Sequence, residues 1–226
     1  MTGSPLGPRL IRGGIVLVDP ATLNIARVLP LQYNAETITR SLTPHTVGQT
    51  GGDRLEALRL KGPPQETIRV EIEFDATDWL DAPQQPGMND VVSRYGLLPQ
   101  LSALEVTLYP SADKLVVGNT QAQAGILEIA PMEAPLTLFV WSRHRVVPVR
   151  LTEVNVTEEA FDTSLQPVRA RVNLAMRVLS VSDIGFTGPG DLYLQYQRRK
   201  QMLSEQLSGS GLGTLCISTI RGGCRR

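Results

Sequence analysis

Thr67-Ile-Arg-Val-Glu-Ile-Glu-Phe74 decides how this chain is read. Ile68, Val70, Ile72 and Phe74 alternate without error with Thr67, Arg69, Glu71 and Glu73. Successive side chains of an extended strand point to opposite faces, so the segment has one dry face and one wet, charged face. That is the pattern of a half-buried antiparallel strand. Lys61-Gly-Pro-Pro64 supplies turn chemistry before it, and Asp75-Ala-Thr-Asp78 supplies a polar exit. Arg169 to Val178 repeats the pattern, with Ala170, Val172, Leu174, Met176 and Val178 on one face. Two such strands predict an antiparallel sandwich or barrel, and neither carries a catalytic cluster.

Toward the N-terminus, Ile15-Val-Leu-Val18 reads as a strand ending at Asp19-Pro20, where proline withdraws the ladder donor. A second strand, Arg27 to Gln32, runs into a turn or bulge at Tyr33-Asn34. Residues 41–54 hold Pro44, Gly48, Gly51, Gly52 and Asp53, which predicts a mobile loop with little regular structure. Toward the C-terminus, residues 81–87 form a Pro- and Gln-rich connection. Leu97, Leu98, Leu101, Leu104 and Leu108 then recur at spacings of three and four. They predict one helix from Val91 to Tyr109, broken near Gly96, with Pro99 in a first turn and a leucine face against the sheet. In the polar block 111–134 only Lys114–Val117 and Ile126–Ile129 read as extended.

Leu136-Thr-Leu-Phe-Val-Trp141 is short and rich in β-formers, so it predicts a central strand buried on both faces or nearly so, followed by a tight turn at Arg143-His-Arg145. Val147, Val149 and Leu151 fall on odd positions, Val154 and Val156 on even ones. A strand that keeps one buried face must insert an extra residue near Thr152-Glu153, a bulge or bend. Thr157 to Pro167 reads as a polar link, and residues 182–190 as a linker. Asp191 is placed to cap a helix reaching about Leu207, with Leu192, Tyr196, Leu203 and Leu207 as a narrow apolar stripe. The expected organisation is a flexible start (1–13), a mainly β domain with a packed helix (14–182), a linker and C-terminal helix (183–207), and a flexible Gly/Ser/Cys tail (208–226).

The chain has 226 residues, 42% of them hydrophobic, enough for one sizeable core. Lysine plus arginine equals aspartate plus glutamate at 22 each, so nothing points to nucleic acid or an anionic membrane as the main partner. The same neutrality leaves little long-range repulsion between copies of the chain. Met1 to Pro8 lacks the basic start and apolar run of a secretory signal, and no window approaches membrane-spanning length. Cytoplasmic synthesis without membrane insertion is expected. Cys216 and Cys224 read as two reduced thiols, since two ligands cannot complete a zinc site.

Candidate chemistry is thin. His45 lies in the Gly-rich loop and His144 between two arginines, neither at ligand or triad spacing with a cysteine or carboxylate. Glu71/Glu73 and Glu158/Glu159 are carboxylate pairs, but strands expose such residues routinely, and a hydrolase built on Glu71, Glu73 or Glu158 is a remote reading. Gly48, Gly51 and Gly52 make no phosphate loop, as no Gly-Lys-Ser/Thr follows. Asn155-Val-Thr157 matches a glycosylation acceptor and reads simply as strand. Arg198-Arg-Lys200 with Tyr193 and Tyr196 could grip RNA bases, although a solvated helix face has the same composition. No catalytic residue, cofactor-binding residue or metal ligand is expected. The strands alone would equally serve a ligand- or carbohydrate-binding β-barrel.

Several phrases taken in order are more specific. They are Leu29-Pro-Leu-Gln-Tyr-Asn-Ala-Glu-Thr-Ile-Thr-Arg40, Leu60-Lys-Gly-Pro-Pro-Gln-Glu-Thr67, Phe74-Asp-Ala-Thr-Asp78, Gly96-Leu-Leu-Pro-Gln-Leu101, Phe139-Val-Trp141, Val147-Pro-Val-Arg150, Thr157-Glu-Glu-Ala-Phe-Asp162 and Pro167-Val-Arg-Ala170. From about Gly14 to Lys200 the chain resembles the tube-protein-like family of contractile injection systems. The resemblance implies a relative of phage tail-tube proteins, a β-barrel or sandwich with one helix, repeated about an axis as a hexameric ring. It implies a baseplate hub or tube-initiating ring, with copies of itself, a spike protein, an inner-tube protein and baseplate or sheath-adaptor proteins as partners. The particle would assemble in the cytoplasm and, in some systems, be released. Many relatives carry a C-terminal peptidoglycan-binding LysM module; the short Gly/Ser/Cys tail here departs from that pattern, so wall binding is not carried over.

Overall fold

A computed structural model of the chain describes residues 12–19, 22–46, 59–80, 88–123 and 135–207. Seven strands make one antiparallel sheet: β1 (Gly14–Val18), β2 (Ile25–Pro30), β3 (Ile38–Thr43), β4 (Gln65–Asp75), β5 (Leu136–Ser142), β6 (Arg145–Phe161) and β7 (Pro167–Val178). Their order is β2-β1-β5-β6-β7-β4-β3. Six helices accompany them: α1 (Ala76–Leu80), α2 (Met88–Tyr95), α3 (Leu98–Glu105), α4 (Ala112–Gln123), α5 (Val181–Ile184) and α6 (Pro189–Glu205). The fold is mainly β with α, as the sequence predicts.

The sheet is open, and β6 is the strand that joins its two halves. The first part of β6, up to Val149, pairs with β5; from Val149 onward it pairs with β7. The register shifts between Leu151 and Glu153, where Thr152 is the extra residue and its hydroxyl donates to the Ala175 carbonyl at 3.0 Å. Strands that pass between two packed layers turn the corner through such bulges. β2-β1-β5 and β7-β4-β3 thus become two leaves of one folded sheet. A single core joins them, with Ile15, Phe139 and Val147 from one leaf and Ile68, Ile72 and Met176 from the other. β4 contributes Ile68, Val70, Ile72 and Phe74, all buried, with Arg69, Glu71 and Glu73 exposed opposite them. At about 1.5–3 kcal/mol per buried side chain, that one face supplies stabilisation comparable to a domain's whole net stability.

Closure between the leaves comes from a side chain. Gln32, just past β2 and only 6% exposed, donates its amide to the Asp75 carbonyl at 2.7 Å and accepts from the Asp75 N–H at 2.8 Å. This reproduces the two-bond exchange of an antiparallel pair and stitches the end of β2 to the end of β4. Asp75 also starts α1, its carboxylate accepting from the Thr77 N–H at 2.9 Å. The edge strands β2 and β3 are not paired with each other.

The predicted helix over 91–109 is two helices, α2 and α3, parted at Gly96 as expected. Gly96 has φ +57, and a Cβ there would sit 2.6 Å from the Pro167 carbonyl oxygen. Val92, Leu97, Leu101 and Leu104 enter the core. Other expectations are corrected. Residues 41–43, expected to open the mobile loop, are the end of the edge strand β3 (Ile38–Thr43). Lys114–Val117 is helical, inside α4. β6 continues through Thr157 to Phe161, so the polar link shrinks to 162–166. In α6, Gly188 is the N-cap and Pro189 opens the helix, which leaves Asp191 in the first turn. The buried stripe of α6 is Tyr193 and Tyr196, whereas Leu203 and Leu207 are exposed. Residues 48–54, 81–87, Ile126–Ile129 and the tail with Cys216 and Cys224 lie outside the described residues.

Candidate functional site

The phase of β4 carries past its apolar run. Glu66 precedes Ile68 by two positions and therefore points to the core side, where it is 3% exposed. Its carboxylate is fully served. Oε1 accepts from Arg40 Nε on β3 at 2.8 Å and from the Tyr196 hydroxyl on α6 at 2.9 Å, while Oε2 accepts from Lys200 Nζ at 2.8 Å. Arg40 also donates to the Tyr196 hydroxyl at 3.0 Å, and the Lys200 ammonium lies 4.0 Å from the centre of the Tyr196 ring. Burial alone would raise the Glu66 carboxyl, but donation from Lys200, Arg40 and Tyr196 wins and holds it below the ordinary carboxylate range. Burial and the adjacent Glu66 charge raise the Tyr196 phenol. The cluster ties α6 to edge strand β3 through β4. Its members are all consumed by one another, which makes it a structural latch.

The carboxylate pairs singled out from the sequence stand on the opposite, wet face. Glu71 and Glu73 flank Arg171 of β7, each 3.4 Å from its Nε, and Glu159 lies 3.6 Å from its Nη1. An arginine shared among three half-exposed carboxylates neutralises a patch of sheet surface; such pairs contribute little to stability. Beside it, Thr39, Arg69, Glu153, Asn155 and Asn173 line an open polar depression of about 460 Å³. Asn155 donates to Glu153 at 2.9 Å. Glu158 is exposed.

The two histidines are separate and exposed. The His45 carbonyl accepts from the Lys61 N–H at 2.8 Å, and His144 Nε2 accepts from Arg143 Nε at 2.9 Å. The basic helix segment faces inward more than either sequence reading allows. Tyr193 and Tyr196 are core residues, Lys200 belongs to the latch, and Arg199 donates to the Arg143 carbonyl. Only Arg198 of Arg198-Arg-Lys200 is fully exposed. Among the described residues no group of three or more His, Cys, Asp or Glu is arranged to hold a metal ion, and no helix is long and apolar enough to cross a membrane.

What the surface does offer is unpaired sheet margin. β2 is exposed along nearly its whole length, with Ile25 at 68% and Val28 at 54%, and Leu42 on β3 is about half exposed. Among the described residues, each edge leaves a row of main-chain donors and acceptors without a strand partner on its outer side. Along β2 lies an apolar groove of about 370 Å³ that runs to α2 and α3.

No family model matches the chain, and no curated protein matches it. Among solved structures it is similar to a chain in the tail of an empty gene transfer agent particle with C6 symmetry, at 12% identity and a TM-score of 0.30. It is also similar to a chain in the virion of a native gene transfer agent particle, at 11% identity and a TM-score of 0.28. Each likeness covers 74% of this chain and 90% of the other.

Proposed function

We propose that this chain is a structural subunit of a contractile injection system or phage-tail-like particle. In this reading it forms a ring in the baseplate hub that joins the central spike to the inner tube. The observation that carries the reading is the pair of margins, β2 and β3, at opposite ends of one folded sheet, neither paired on its outer side by any other described strand. Two different free edges on one chain make a heterologous, head-to-tail contact, which closes into a ring when the rotation per copy divides a full turn. The ordered phrases from Leu29 to Ala170 support the same role. The latch at Glu66 and the clasp at Gln32 fix both margins to the core, so neither edge can shift register without breaking buried polar contacts.

The test is to purify the particle from cells that assemble it and to trace this chain by electron microscopy. The expected result is a six-fold ring in the hub, touching spike on one side and tube on the other. A chain absent from the particle, or found only as free monomer in those cells, overturns the reading.

A further inference from the structure

Helix α4 is out of place in water. It is 12 residues long, a length at which an isolated helix is marginal even with good helix formers. Its composition is poor: Val116, Val117 and Thr120 are β-branched, and Gly118 costs about 1 kcal/mol relative to alanine. Leu115, Val116 and Val117 are 51%, 66% and 53% exposed, and a Cβ built on Gly118 would meet nothing within 4 Å. The lead-in is also apolar, with Val106, Leu108 and Tyr109 exposed.

The same chain carries an apolar groove, walled by Val28 and Leu29 of β2, Phe74 of β4, Val91 of α2, and Ala103 and Leu104 of α3. Among the described residues, none from α4 lines it, and its one charged lining residue is Arg12. The one carboxylate of α4 is Asp113, three and four positions before Val116 and Val117 and hence on their side of the helix. We propose that α4 of one copy docks in the β2–α3 groove of the next copy, with Val116 and Val117 in the groove and Asp113 against Arg12. A helix and a groove at different places on one chain are complementary patches of a head-to-tail contact, and the groove opens beside the free β2 edge where that contact would run. The inference rests on the reading of this chain as a self-assembling subunit and names the second element of its interface.

The experiment uses the full chain with Cys216 and Cys224 changed to serine. One preparation carries Val116→Cys and another Ala103→Cys; they are mixed, oxidised and resolved without reductant, while assembly is followed by mass photometry. A covalent dimer formed only in the mixture is the expected result. Asp113→Arg should lower its yield about threefold, and adding Arg12→Asp should restore it, the size expected of an exposed ion pair. A single chain carrying both cysteines that closes on itself as a monomer would overturn the proposal, because α4 would then fill its own groove. So would rings that assemble normally without the cross-link, an outcome that leaves the ring reading intact. Failure of the unsubstituted chain to form any oligomer would instead count against the ring reading.

Discussion

Replacing Glu66 by glutamine tests the latch, because it keeps the shape and removes the charge. The carboxylate accepts four charge-assisted or phenolic hydrogen bonds at 2.5–2.9 Å, two from Arg40 and one each from Tyr196 and Lys200. Glutamine offers one acceptor oxygen and turns an NH2 group toward a cation, so at least the Lys200 bond is lost. Removing one member of a buried ion pair costs about 3–5 kcal/mol when the remaining charges stay dry. Here the Arg40 and Lys200 side chains are 26% and 33% exposed and can recover water, which brings the expected loss down to about 2–3 kcal/mol. At about 2–4 °C per kcal/mol for a domain of this size, Tm should fall by about 4–12 °C. Glu71→Gln, beside the half-exposed Arg171, is the control and should move stability by less than about 0.5 kcal/mol. The pH dependence has a definite sign. Glu66 lies below the ordinary carboxylate range in the folded chain, so the unfolded chain binds more protons as pH falls. The latch's contribution is complete above the unfolded value, about 4.3, and is lost as pH drops through the folded value. Thermal or urea unfolding followed by circular dichroism should therefore show a constant gap between wild type and Glu66→Gln from pH 6 to 8 and a narrowing gap below about pH 4. A gap under about 0.5 kcal/mol at pH 7, or one that does not narrow in acid, would refute the reasoning.

Gln32→Leu keeps the bulk of the clasp but leaves the Asp75 N–H and C=O without their partner; at about 1–3 kcal/mol per unsatisfied group, urea unfolding should show a loss of about 2–6 kcal/mol, and an unchanged midpoint would remove the clasp from the account. Gly96→Ala combines a left-handed φ with a Cβ 2.6 Å from the Pro167 carbonyl oxygen, so a loss of at least about 2 kcal/mol is expected in the same assay, and stabilisation by the alanine would show that the α2–α3 break is not held by that contact.

Burial on one side writes itself into sequence, and burial on neither side does not. β4 and β7 were legible because one face is dry, and the bulge at Thr152 followed from the phase change between Leu151 and Val154. The edge strand β3, Ile38-Thr-Arg-Ser-Leu-Thr43, is mostly wet on both faces and shows no usable alternation. The far end of β6 fails for the same reason, since Thr157, Glu158 and Ala160 are all exposed. α4 was misread because Leu115-Val116-Val117 has strand propensity, which says nothing of the helix it joins. In α6 the leucines drew attention, yet the aromatic pair Tyr193 and Tyr196 is what packs, their rings 6.5 Å apart at an edge-on angle. The latch was half legible. Extending the β4 alternation back to Glu66 places a carboxylate in a dry phase, which demands partners. Which partners could not be read, because Arg40 and Lys200 lie 26 and 134 positions away.

The charges of the folded sheet bear on how copies could meet. Arg169 pairs with Asp75 at 3.0 Å, Arg171 with three glutamates, and Arg177 with Asp183, so the wet face matches several of its basic residues with its own acids. Glu66 does the same in the core. Such a surface steers nothing by long-range field, and with equal numbers of acidic and basic residues in the chain it repels nothing either. Chains that stay monomeric usually blunt their edge strands with inward charges, bulges or cover. β2 carries Arg27, the terminal Pro30 and a bulge at Ala26, yet it still presents Ile25 and Val28 to solvent. Under the ring reading this is the expected division of labour. Much of the sheet's side-chain charge is matched within the subunit, and main-chain pairing with apolar contact is left for the neighbour.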